Sequence, residues 1–182
     1  MNIERYCISN DITFIVYRDT PSNISKMRGN WCKPYILLHH IDNYDYICWL
    51  DSDIIITEGY HVDFKKDIRV FNDPSNWFFN SGFMMFKSID KNKRMLEYII
   101  ENIEKDLELI YSNSGDQLYF IKAFRIFYPD ELPESAIHTN LHIDICKPSI
   151  KKMVHFMGIP INIRHIVMEY YDNKYGYILN KR

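Results

Sequence analysis

The chain has no block of basic residues, no apolar run of membrane length and no closely spaced cysteine pair. Each absence removes a class of function. The formal net charge is −2 over 182 residues. Binding to a duplex nucleic acid rests on neutralising phosphates with Lys and Arg, so nucleic acid is not the expected partner. A bilayer span needs about 20 consecutive apolar residues, and none is expected here. The four cysteines, Cys7, Cys32, Cys48 and Cys146, form no C-x-x-C pair, which argues against a zinc knuckle. Two of them lie in apolar segments and read as small packing residues. The opening MNIERYCISNDITF has charges where a secretion signal has its apolar core. The expectation is therefore a cytoplasmic protein. At 47% hydrophobic and 25% charged residues it can build a core, and its length suits a single domain over 1–182.

What is present alternates between strand-like and helix-like segments. Residues 2–10 read as a short helix. ITFIVY, 12–17, is β-branched and aromatic and reads as a strand. NWCKPYILLHHI, 30–41, reads as a helix with Asn30 as N-cap and Pro34 in the first turn. YDYICWL, 44–50, reads as a buried strand. Residues 58–76 look irregular. WFFNSGFMMFK, 77–87, reads as two strand pieces broken at Asn80-Ser81-Gly82. From about Ser88 to Ile110, Leu96, Ile99, Ile100, Ile103, Leu107 and Ile110 lie on one helical face. A further helix is expected over 115–127 and a short strand over 154–159, while the tail from 160 is weakly patterned. This alternation predicts an α/β layer fold with a largely parallel sheet, whose ligands would sit beyond the carboxyl ends of its strands.

YICWLDSDIIIT, Tyr46 to Thr57, puts two carboxylates at such a strand end. In extended chain Asp51 and Asp53 project to one side, and they repel unless a cation or shared proton relieves them. Mg and Mn take oxygen ligands, commonly one or two carboxylates plus substrate phosphates. The pair is thus a reasonable half-site for a metal–diphosphate. By itself D-x-D is weak, because chance produces one in about half of chains this long. A D-x-D phosphotransferase with Asp51 as nucleophile is another reading. It ranks lower, because that pattern continues D-x-D-x-[TV] and Ile55 stands at the last position.

W-x-K, Y-D-Y-I-C-W-L-D-S-D, N-S-G-F-M-M-F, D-Q and H-F-M-G follow one another in this order. The series resembles the metal-dependent GT-A glycosyltransferases, in particular the galactosyl/mannosyl/xylosyltransferase family and the small glycosyltransferase domains of large DNA viruses. For a viral chain the compartment would be the host cytoplasm. The resemblance spans about residues 4–160. It implies a GT-A fold, with a mixed, mostly parallel sheet flanked by helices. The chain opens at what resembles the family's first helix and second strand, so the first strand is expected to be missing.

The resemblance also implies roles. Asp51 and Asp53 would hold Mn2+ (or Mg2+) on the donor diphosphate, with Asp51 also facing the donor, and His155 would be the third ligand. Gly158 would let backbone approach the phosphates. Trp31 and Lys33 match W-x-K, with Lys33 on the nucleotide side. Asn80, Ser81 and Gly82 would line the donor sugar, and Asp116 and Gln117 would lie beside the anomeric carbon. Some related enzymes place a lysine shortly beyond H-F-M-G, and Arg164 is the candidate to replace it. The implied activity moves a hexosyl or pentosyl group from a nucleotide-sugar, a UDP-sugar, to a glycan or glycosylated acceptor, with retention of configuration. Should the reaction invert, Asp116 is the candidate base.

Without the resemblance these residues have plainer readings. His155, between Val154 and Phe156, is a core histidine. Trp31 is a packing residue and Lys33 a solvated one. Asn80-Ser81-Gly82 is a turn, and Asp116 is a helix N-terminal charge. The alternative for the whole chain is a non-catalytic remnant of the fold that acts as a binding module.

Overall fold

Three separate stretches, 1–16, 51–63 and 136–182, gather into one unit of the chain, while 17–50 and 64–135 form a second. The computed structural model describes residues 2–19, 22–25, 27, 29–57, 60–71, 73, 78–106, 115–133, 153–156 and 159–176. Along them run α1 (Asn2–Ser9), α2 (Lys33–His40), β1 (Tyr46–Leu50), β2 (Ile54–Ile56), β3 (Ile68–Phe71), β4 (Asn80–Lys87), α3 (Asp90–Lys105), α4 (Gln117–Phe127), β5 (Met153–His155) and α5 (Ile161–Tyr175). None of these helices is long and apolar enough to cross a membrane.

In the second unit, β1, β4 and β3 form one sheet in that order. Helix α3 packs against both α2 and α4, α2 against β1 and α4 against β4. Strand β4 is central, and Asn80 to Phe86 are all buried. Helix α3 turns Met95, Leu96, Ile99 and Ile103 into the core at helical spacing. Its described part ends at Lys105, and the expected continuation through 107–110 lies outside the described residues.

In the first unit, β2 and β5 pair antiparallel, with Ile54 opposite His155 and Ile56 opposite Met153. Helix α1 buries Ile3, Tyr6 and Cys7, at i, i+3 and i+4, and packs on β2, as does α5. The small apolar core holds Ile55, Val154, Phe156, Ile159 and Tyr171. Polar side chains tie it together. The Asn2 amide donates to Ile56 O at 2.9 Å and accepts from Ile56 N at 2.7 Å, so one side chain gives β2 the two bonds a neighbouring strand would give. Asn2 also donates to Asp172 on α5 at 2.7 Å, and Arg5 holds both oxygens of that carboxylate at 2.6 and 2.7 Å.

Several expectations are corrected. The sheet is not mostly parallel: every described strand pairing is antiparallel. The segment 12–17 forms no described strand, and Ile15 and Val16 are exposed. Strand β1 stands at the edge of its described sheet with only Ile47 buried, and its Cys48 is exposed, unlike Cys7 and Cys32. Cys146 lies outside the described residues. Asn30 does not cap α2. The chain enters through a 3-10 turn, Gly29–Cys32, and Cys32 occupies the cap position without a side-chain capping bond, its thiol donating to Gly29 O instead. Residues 58–76 contain β3, and the tail contains α5. Helix α5 leaves no clear period in the sequence because it is apolar on two sides. Val167, Met168 and Tyr171 pack inward while Ile163, Ile166 and Tyr170 are exposed, which blurs the period. Finally, Asn80-Ser81-Gly82 does not split the strand. Val70 pairs with Met84 and Phe71 with Asn80, so the three residues between them form an irregularity within a continuous β4.

Candidate metal centre

Asp51 follows β1 directly, and the turn Asp51–Asp53 leads into β2, with Ile54 N donating to Asp51 O at 3.2 Å. The antiparallel register of β2 with β5 brings His155 to this turn, and Phe156 N donates to Asp53 O at 2.8 Å. Residues some hundred positions apart thereby meet: a ligand atom from each of Asp51, Asp53 and His155 lies within 4.8 Å of the others. His155 Nε2 is 3.1 Å from Asp53 Oδ1. The other carboxylate oxygen, Oδ2, accepts from Arg164 Nη1 at 2.8 Å.

Asp53 therefore sits among opposing influences. Burial favours its neutral form. The hydrogen bond and charge of His155, then the Arg164 guanidinium and a backbone bond, outweigh burial and hold the carboxyl below its usual value. The donor set fits a divalent ion. Two carboxylates and an imidazole suit Mn2+ or Mg2+. Around an ion with bonds of about 2.1 Å, donors lie about 3 to 4.2 Å apart, so the group needs only a small inward shift.

Lys33, Asn80, Ser81, Asp116 and Gln117 belong to the second unit, where they make polar contacts that are mostly buried. The irregularity in β4 frees the backbone of Ser81, and side chains take it up. Ser81 N donates to Gln117 Oε1 at 3.2 Å, and Lys33 Nζ donates to Ser81 O at 3.2 Å, with Ser81 Oγ at 3.4 Å. Lys33 is not solvated. It is 3% exposed, pairs with Asp116 at 3.4 Å and lies over the Trp49 ring. Asp116, 2% exposed, also accepts from Asn30 Nδ2 at 2.9 Å. Gly115 precedes it with φ +65°, a backbone conformation that calls for glycine. Asn80 donates to Asp73 at 3.0 Å and accepts from Gly82 N at 2.7 Å. Trp31 is buried edge-on against Tyr119, a packing position. Gly158 lies outside the described residues.

Sequence reasoning overlooked Asn2, Asp73 and the bond from Asn30 to Asp116. A polar residue next to a buried charge leaves no periodic trace. The one available signal was the density of Asn and Asp around the aspartates and N-S-G.

No family model matches the chain, and no curated protein matches it either. Among solved structures, it is similar to a glycosyltransferase involved in the glycosylation of the major capsid of PBCV-1, at 12% sequence identity. The TM-score is 0.66, with 93% of this chain and 89% of that chain covered. At that identity the likeness is one of fold, and the chain has the fold of this viral glycosyltransferase.

Proposed function

We propose that the protein is a metal-dependent glycosyltransferase of GT-A type. It moves a hexosyl or pentosyl group from a UDP-sugar to a glycan or glycosylated acceptor, with retention of configuration. The observation that carries this reading is the convergence of Asp51, Asp53 and His155. The fold likeness to the glycosyltransferase involved in the glycosylation of the major capsid of PBCV-1 supports it. When bound, Mn2+ or Mg2+ supplies a Lewis acid for the charge on the leaving diphosphate.

The chain's own residues take the other roles. Asp51, Asp53 and His155 hold the ion. Trp31, Lys33, Ser81, Gly82 and Gly158 are assigned to donor binding, Trp31 through packing. Asn80, Asp116 and Gln117 are assigned to the reacting carbon, where fixed oxygens stabilise positive character. Asp116 is held by Lys33 and Asn30.

Calorimetry with UDP, with and without Mn2+, tests the reading. Binding that requires the metal is expected. A folded protein that shows no metal-dependent binding would overturn the enzyme and favour a non-catalytic binding module. Product NMR with a panel of UDP-sugars then tests the stereochemistry, and an inverted product would sink the retaining assignment.

A further inference from the structure

Arg164 lies in the first turn of α5, and each of its three guanidinium nitrogens donates a hydrogen bond. Nε and Nη2 both donate to Ile159 O, at 3.1 and 2.8 Å. Nη1 is left to donate to Asp53 Oδ2 at 2.8 Å. The carbonyl fixes the plane of the fork, and the fork fixes one oxygen of Asp53. The other oxygen, Oδ1, is the one that faces His155. An arginine stays charged at any working pH, and its planar donors hold this geometry in a way a lysine cannot.

We propose that Arg164 is a positioning residue that restricts Asp53 to a single ligand oxygen, and thereby makes the centre select a small six-coordinate ion such as Mn2+ over Ca2+. The inference rests on the metal reading above. Ions of the Mg2+ class need short bonds in near-octahedral order, whereas Ca2+ takes six to eight oxygens and readily uses both oxygens of a carboxylate. With Oδ2 withheld, Asp51, Asp53 and His155 offer three donors. That suffices for an octahedral ion completed by phosphate and water oxygens and is poor for calcium. Releasing Oδ2 gives calcium an extra ligand and leaves the small ion a less ordered one. Losing the positive charge favours both ions, so it does not set their ratio.

The test uses the full chain with the metals alone. Mn2+ is titrated by electron paramagnetic resonance and Ca2+ by competition, in wild type, Arg164→Gln and Arg164→Lys, with circular dichroism to confirm folding. Wild type is expected to prefer Mn2+. Both variants are expected to narrow that preference by about tenfold or more, the scale on which outer partners tune a metal site. Arg164→Lys keeps the charge but cannot serve Ile159 and Asp53 together, so it separates orientation from charge. An unchanged Mn2+/Ca2+ ratio in both variants overturns the proposal, including the case where both affinities fall equally through structural damage. A wild type that binds no Mn2+ at all overturns the metal reading itself, which is a different and recognisable result.

Discussion

The two units keep their polar side chains by opposite means. In the second, Lys33, Asp116, Ser81 and Gln117 lie within a large apolar unit, and their partners are one another. In the first, Asp53, His155 and Arg164 gather at the end of a two-stranded ladder over a core of a few side chains. Burying a charged pair makes each partner indispensable to the other. The Asp53 group at the strand end is less deeply buried, with 14% of the Asp53 side chain and 27% of Arg164 exposed against 4% and 3% for Lys33 and Asp116, so its loss is expected to cost folding less. Residues given a role in chemistry should therefore fail differently when changed, the second unit's through stability and the first unit's through binding.

The largest expected effect is on binding. Asp53→Ala should abolish metal-dependent UDP binding in calorimetry, beyond the about 10–100-fold loss typical of an outer partner, while the unfolding midpoint stays near that of wild type. A mutant that binds like wild type would remove Asp53 from the metal centre. Next comes Lys33→Met, expected to cost about 3–5 kcal/mol in denaturant unfolding because it strands a buried carboxylate. Adding Asp116→Leu should recover much of that loss. If Lys33→Met is as stable as wild type, Lys33 does not belong to the folding of its unit and the contrast collapses.

The same contrast governs what could be read in the sequence. The second unit is built mostly from neighbouring segments, so its periodic elements were legible: α3 from Leu96, Ile99 and Ile103, α4 from its opening at Gly115-Asp116, β1 from its apolar run. The first unit is assembled from three stretches far apart. Its α5 shows no clean apolar stripe, and β2 is three residues long. The aspartate pair was visible, but His155 joined it only through a resemblance, since no spacing rule connects positions a hundred residues apart. The parallel sheet failed for a related reason. β-Propensity over 12–17 identified a segment that can be a strand, whereas pairing depends on what lies beside it.

A smaller effect tests the polar ties of the first unit. Asn2→Ala leaves the N–H and C=O of Ile56 without the bonds Asn2 supplied. A cost of about 1–3 kcal/mol is expected, the penalty for stranding buried polar groups, and would appear as a lowered denaturant midpoint. Asn2→Asp keeps the acceptor for Ile56 N but sets a buried carboxylate against Ile56 O and the Asp172 carboxylate, and should cost more than Asn2→Ala. A loss much below this range would mean that the core, and not the staple, carries the unit.

The smallest effect is a pH slope in the second unit. His40 accepts or donates a hydrogen bond with Tyr17 at 2.6 Å, and its ring lies against His39 and Tyr44. Burial, then the charge of His39, lowers its proton affinity below the ordinary value of 6.5. The unfolded chain thus binds the proton more tightly than the folded one. The stability this group contributes is fully present above 6.5 and is lost as pH falls through the lower folded value. Denaturant midpoints measured across that window should decline for wild type and decline less for His40→Gln. Equal slopes in the two proteins would show that acid weakens the fold elsewhere. The carboxylates of the first unit would be the next to test, because Asp53, held low by His155 and Arg164, keeps its charge to a more acidic pH.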